Sequence, residues 1–467
     1  MELSFSQGII LVGTVAAVIG WGIYSARQVR SAEGFSLGGR SAGSAMIAGT
    51  IAGTAVGGAS TIGTAQLAFL HGLSAWWFTL GSGIGLLLLG LFYARALRQS
   101  GLETISQYLV VHYGRTAGPI TSLISSLGIL LSVVASSLSG ISLLAGLLSI
   151  PPWQAAGLIV ILVVAYVFFG GLKGAGVAGL LKLLIIWLSL FAAGGAAVYI
   201  LSQRPDCAVL FPADPWFNLF GEGLSHGLEN LFSLIVGIVC TQTYIQAVYA
   251  ATNVKTALIG TCTAAAIIIP VGLPSVAVGM FMHVYHPDIL PILALPMYLT
   301  TYLPSWIGGI GLAGLLLSVV GSIAGLVLGI GTMIARDIAA DLFQITNSSR
   351  LLWLNRCTVV VVTGLSMAIA LTNLDSLVLD WNFMSMALRG GGVFIPLTLA
   401  VFYQRPMMSG WVQGSILFST AVAVYSEVYL SLPFPPLFVG LLVSALILLS
   451  GFLWPKAKAK LAEVHEV

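Results

Sequence analysis

Apolar stretches of membrane length recur along this chain, separated by short segments that hold most of its charge. They fall near residues 7–26, 44–70, 74–96, 118–148, 153–170, 175–201, 226–250, 256–284, 306–334, 352–372, 377–403, 408–430 and 435–454. Hydrocarbon about 30 Å thick needs a helix of about 20 apolar residues, so the pattern predicts about thirteen transmembrane helices. Two of the stretches are not uniformly apolar. Residues 49–65 read GTIAGTAVGGASTIGTA, with five Gly and five Ser or Thr in seventeen positions. Gly57-Gly58 is the weakest point for a helix, because two adjacent residues lack a Cβ and lose the most backbone entropy on ordering. The other is LFSLIVGIVCTQTYIQAVYAATN, which sets Thr241, Gln242, Thr243 and Gln246 in an apolar helix.

Freed N–H and C=O groups at membrane depth must find partners. An interrupted helix is stable there where it lines a site for an ion or solute. The alternative for residues 49–65 is a continuous helix whose small side chains let a neighbour approach closely. For Gln242 and Gln246 the alternative is hydrogen bonding between helices. Two polar-interrupted helices five spans apart are what an inverted five-plus-five repeat predicts.

Composition agrees with the pattern. Of 467 residues, 58% are hydrophobic and 7% charged, against roughly 25% charged in soluble domains. The expectation is an all-α polytopic membrane protein with the lipid bilayer as a partner. Charge distribution then orients it. The first stretch is preceded by Glu2 and followed by Arg27 and Arg30, the reverse of a secretory leader. It reads as a retained helix with the N-terminus outside. The basic residues then collect on one side, from Arg40, Arg95, Arg98 and Arg115 to Arg336, Arg350, Arg356, Arg405, Lys456, Lys458 and Lys460, with Arg204 outside. That side is cytoplasmic by the positive-inside rule, and the C-terminus lies there. The external loop 202–225, with three acidic residues and three prolines, suits a cap. Cys207, Cys240, Cys262 and Cys357 and the six histidines have no metal-binding spacing, and no nucleic-acid patch is present.

Several segments, in order, resemble the sodium:solute symporter family: FSLGGRSAG at 35–43, FFGGLKGAG at 168–176, TYIQAVYAATNVKTA at 243–257 and the long run 294–343. The resemblance implies a LeuT-like core of five plus five helices after one extra helix, in a multi-pass protein of a bacterial-type plasma membrane. The divisions expected are 1–43 (extra helix and first cytoplasmic loop), 44–201 (first repeat), 202–225 (external loop), 226–403 (second repeat) and 404–467 (two helices and a basic tail). It further implies secondary transport of a small solute by a monomer or weak oligomer. No organic cofactor is implied, and sodium is the one ion.

By position in the family, sodium would sit between carbonyls at Gly53 and Val56 and the residues Ser318, Gly321 and Ser322. Oxygen ligands suit a hard cation. This chain departs from the family at Gly321, where a hydroxyl is usual, and at Gly179, where an acid is usual. Ala324 and Gly325 replace the hydroxyls for a second ion. Lys182 lies about one turn beyond Gly179, roughly 10 Å into its helix. A lysine at depth costs about 2.5–3.5 kcal/mol on insertion scales. Its ammonium could stand where sodium would, facing Gly53, Val56 and Ser322, as in sodium-independent relatives of the fold; alternatively it snorkels to the headgroups. An amine held out of water can also exchange protons.

Arg389 is the second cation within a span. It pairs with Asp380 if another element brings that acid in, caps carbonyls, or binds a solute carboxylate. Two cations without a buried acid lean toward a carboxylate-bearing solute. Family solute contacts fall at Gly57, Ser60, Thr61, Thr79, Ser82, Thr241 and Gln242, with Trp76, Trp77 and Phe78 as aromatic walls. For Thr79 and Ser82 helix packing is the alternative. A conventional sodium-coupled symporter, or a transporter-like sensor, remains open. An enzyme would need intramembrane His, Asp or Glu clusters, which the spans lack.

Overall fold

The computed structural model describes residues 3–25, 31–167, 171–403, 407–429 and 435–453. Arg27, Arg30, Arg405, Lys456, Lys458, Lys460 and His465, and residues 168–170 of one family-like segment, lie outside them. The described residues are all helical apart from turns and one isolated bridge between Ala42 and Ala251.

The principal helices, in chain order, are α1 (Phe5–Ser25), α2 (Ser44–Ala55), α3 (Thr64–His71), α4 (Trp77–Leu88), α5 (Ile105–Tyr113), α6 (Ala117–Leu148), α7 (Pro152–Val167) and α8 (Gly171–Ser202). They continue as α9 (Leu224–Val239), α10 (Gln242–Ala250), α11 (Val254–Tyr285), α12 (Ser305–Met333), α13 (Ser348–Leu371), α14 (Val378–Phe402), α15 (Ser409–Tyr429) and α16 (Pro436–Leu453). Among the described residues nine helices are long and apolar enough to cross a membrane, ten if the bent pair α9–α10 is one span. That is fewer than the thirteen expected. Helices α2 and α7 are apolar but short. With the bent pair taken as one span, three expected stretches lack a separate counterpart among the described residues: 44–70, which is the broken segment, 153–170, which holds the short α7, and 408–430, which holds α15.

Both predicted interruptions are present. Helix α2 stops at Ala55, and Val56 has φ −80° and ψ 80°, outside the helical region. A wide turn over Ala59–Gly63 leads into α3. The second break bends α9 against α10 by 44°. It falls at Cys240–Thr241, where Thr241 is extended.

Helix α2 is packed between α8, α11 and α12. Glycine makes the α2–α8 approach possible. A Cβ at Gly53 would stand 3.0 Å from the Cα of Gly179, and one at Gly179 would stand 2.5 Å from the carbonyl oxygen of Gly49. The absence of an acid at position 179 therefore has a structural reason: a side chain there would strike the backbone of the broken helix. Helix α14 packs on α6 and α9, closing the other side of the centre. At one end of the helices the 202–225 loop covers α3 and α4. Gly72, at φ +69°, lies under Trp216, and the Trp77 indole donates to the Leu219 carbonyl at 2.7 Å.

Candidate functional site

The break in the first helix frees backbone groups, and its own hydroxyls take several of them. Gly57 N–H donates to Ser60 Oγ at 2.9 Å. Ser60 Oγ lies 3.1 Å from the carbonyls of both Ala55 and Gly57. Thr61 Oγ1 donates to the Gly57 carbonyl at 2.8 Å, and Thr64 Oγ1 to that of Ala59 at 3.1 Å. Each such bond contributes about 0.5–1.5 kcal/mol net, and more is lost when a buried group is left unmade. Ser60 and Thr61, nominated as solute contacts, are therefore engaged in holding the break open.

Lys182 completes the arrangement. Its side chain is fully buried, so it does not snorkel. Nζ donates to the Val56 carbonyl at 3.1 Å and to the Ser318 carbonyl at 3.2 Å. It thus bridges the broken helix and α12. Two details differ from expectation. The α12 partner is the Ser318 carbonyl rather than the Ser322 hydroxyl, and Gly53 is turned to Gly179 in the α2–α8 crossing. Gly321 makes room for the lysine: a Cβ there would lie 2.8 Å from Nζ and 3.2 Å from both Cδ and Cε. The missing hydroxyl at 321 and the presence of Lys182 are one steric fact.

The residues at this position do not fit sodium in this structure. Val56 and Ser318, two of the oxygens an ion would use, already accept from an ammonium, and position 321 has no oxygen side chain. Ser318 Oγ is buried without a hydrogen-bond partner.

Beside the break lies a narrow central cavity, closed down in this structure to about 20 Å³, roughly the room one water molecule needs. Gly57, Ser82, Ser322 and Arg389, all nominated from sequence, line it together. So do Phe78, Ser132, Ser136, Tyr244 and Asn382, of which only Phe78 was anticipated. Ser132 and Ser136 are four apart on α6, a spacing that places both on one helix face. Asn382 and Arg389 are seven apart on α14 and share a face in the same way.

Other nominated contacts stand elsewhere. Thr79 Oγ1 faces the Ile269 carbonyl at 3.3 Å. Thr241 Oγ1 donates across the second break to the Gly237 carbonyl of α9 at 2.7 Å. Trp76 and Trp77 direct their indole N–H groups to the carbonyls of Ile269 and Leu219. Asp380 lines a separate cavity with His226 and Glu229. Arg389 instead donates to the Gly237 carbonyl at 3.3 Å and Ser385 Oγ at 3.2 Å, and contacts the Met386 sulfur.

Gln242 belongs to a clamp at the end of the molecule that the charge pattern assigns to the cytoplasm. Its amide donates to the Glu103 carbonyl and accepts from Ile105 N–H, both at 2.9 Å. Glu103 pairs with Arg336. Next to it, Asp337 is buried and accepts from Thr104 Oγ1 at 2.7 Å and from Ser122. Gln246 reaches the Ser36 carbonyl and Thr332. The polar residues of the second broken helix therefore tie its α10 half to the 103–106 segment and to the end of α12. Sequence reading missed this clamp, because its members lie far apart in the chain.

Two discontinuous helices packed around a buried, hydrogen-bonded centre define a secondary transporter of solutes rather than an enzyme. The chain belongs to the sodium:solute symporter family, whose profile matches residues 35–417. It is 24% identical to the sodium/sialic acid symporter NanT of Aliivibrio fischeri over 95% of this chain and 92% of that one. It is 25% identical to a high-affinity choline transporter of Torpedo marmorata over 73% of this chain and 61% of the relative's length. The human high-affinity choline transporter is 24% identical over 87% and 73%. In fold the chain is similar to a solved Na+-coupled sialic acid symporter in its substrate-bound, outward-open state. The TM-score is 0.76 at 16% identity, covering 96% of both chains. The architecture is the LeuT-like inverted repeat in a multi-pass membrane protein.

Proposed function

We propose that this protein carries a small, carboxylate-bearing organic solute by alternating access, with the Lys182 ammonium in the place of a sodium ion. The observation that supports it is the pair of bonds from Nζ to the Val56 and Ser318 carbonyls, which join the broken helix to α12. In this reading the carrier is sodium-independent or proton-linked, since an amine can lose and regain a proton where a bound cation must leave. The membrane is a bacterial-type plasma membrane, with the N-terminus outside and the C-terminus in the cytoplasm, as the one-sided distribution of basic residues favours. The unit is a monomer or weak oligomer.

The relatives named above handle choline in one case and sialic acid in the other. Buried positive charge at Lys182 and Arg389 opposes a quaternary ammonium and suits an anion. The second reading is a conventional sodium-coupled symporter. Family membership and the unpartnered Ser318 hydroxyl favour it. Uptake into proteoliposomes separates the two. The expected result is accumulation of a radiolabelled carboxylate that is indifferent to a sodium gradient and is lost in Lys182→Ala. Strict sodium dependence of the wild type would return the protein to the second reading.

A further inference from the structure

The central cavity sets a buried guanidinium and a buried amide among neutral hydroxyls, with no carboxylate to balance them. At the break, the Ala55 and Gly57 carbonyls accept from Ser60 and Thr61, and the Val56 carbonyl accepts from Lys182. Among the described residues no Asp or Glu lines the cavity. A solute ammonium placed here would meet no carboxylate, and three of the carbonyls at the break are already engaged.

The donor side is the reverse. Arg389 is 1% exposed and lines the cavity. Its five N–H groups serve one carbonyl, one hydroxyl and one thioether, which leaves one N–H on each terminal nitrogen. A thioether is a weak acceptor that a carboxylate would displace. Asn382, 4% exposed, lines the same cavity, and its Nδ2 is buried without a partner. A buried amide donor left unpaired is costly unless something else binds it. The remaining polar wall is neutral hydroxyl, from Thr54, Ser82, Ser132, Ser136, Tyr244 and Ser322, each able to donate or accept.

We infer that the transported solute is a small carboxylate with a hydroxyl or keto group and no ammonium, its carboxylate held between the guanidinium of Arg389 and the amide of Asn382. The hydroxyls of Ser82, Ser132 and Ser136 take the second polar group. Amino acids, betaines and choline are disfavoured, because their cation would meet no carboxylate and would face the charge of Arg389. This deepens the transporter reading and rests on it, and it makes Asn382 a specificity-determining residue.

The test is thermal-shift titration of the purified full-length protein with lactate, pyruvate, lactamide, alanine, glycine betaine and choline. Lactate and pyruvate should stabilise the wild type, and the other four should not. Arg389→Gln should weaken lactate binding roughly 10–100-fold, the span for losing a charge-assisted pair. Arg389→Lys, which keeps the charge and loses the fork, should fall between and serves as the variant if the glutamine form does not fold. Asn382→Asp should abolish lactate binding without lowering the unliganded midpoint, because the new carboxylate occupies Arg389 itself. Alanine, betaine or choline binding as tightly as lactate would overturn the inference. So would lactate affinity unchanged in both Arg389→Lys and Asn382→Asp, or no stabilisation by either carboxylate at millimolar concentration. Binding is read without a gradient. A sodium-driven wild type would therefore sink the Lys182 reading alone, and ammonium-bearing ligands would sink this one alone.

Discussion

Replacing Lys182 by Met keeps most of the side-chain volume and removes the charge. Two charge-assisted bonds disappear, each worth about 1.5–3 kcal/mol, or about 3–6 kcal/mol together. Against this, a cation without a carboxylate leaves an apolar depth where it costs about 2.5–3.5 kcal/mol. The two effects partly offset, so the net change runs from about −0.5 to about 3.5 kcal/mol of lost stability. The more telling consequence is chemical. The Val56 and Ser318 carbonyls are released, and with Ser318 Oγ and Ser322 nearby they become oxygen ligands for a hard cation. Sodium at ten times its dissociation constant would then stabilise the variant by about 1.4 kcal/mol. The assay is thermal unfolding of purified protein in sodium chloride against choline chloride at equal ionic strength. The wild-type midpoint should be the same in both salts, and that of Lys182→Met should rise only in sodium. A wild type that responds as strongly as the variant would refute the reasoning, as would a variant indifferent to sodium.

Gly321→Ala places a methyl 2.8 Å from Nζ and should destabilise the wild type by about 1–3 kcal/mol, as overpacking does. In a Lys182→Ala background the same change should be nearly neutral, and a double-mutant cycle by chemical denaturation measures the coupling. Glu103→Gln removes the partner of Arg336 at the clamp. The Glu103 side chain is 7% exposed and that of Arg336 28%, so the cost should fall below the ~3–5 kcal/mol of a fully buried pair. The expected sign is faster labelling of a cysteine placed at position 107; an unchanged rate would show that the Glu103–Arg336 pair does not hold this end together. In the 202–225 loop, the Arg204 guanidinium hydrogen-bonded to Asp206 holds the Asp206 carboxyl below the usual range. A lowered folded-state value stabilises above the unfolded carboxylate value and is lost only as pH falls below it. Asp206→Asn should therefore leave the pH profile of the thermal midpoint unchanged between about pH 5 and 8.

Backbone economy made much of this protein legible in one dimension. Apolar stretches of membrane length specify helices because hydrocarbon offers backbone groups no other partner. Gly57-Gly58 and the polar run from Thr241 marked both breaks, since each is a local property of its own segment. Lys182 stood out because a cation at that depth needs a reason. What the linear order could not contain is which atoms meet across helices. The fold alone decided that Lys182 turns to the Ser318 carbonyl, that Gly179 is bare because the Gly49 backbone occupies the space of its side chain, and that Gln242 clamps Glu103–Ile105 instead of facing the cavity. Asn382 could not be singled out either, because a buried amide becomes informative only when its missing partner and the neighbouring guanidinium are seen together. The Lys182 and Gln242 contacts join residues more than a hundred positions apart, and short-range pattern carries no record of them.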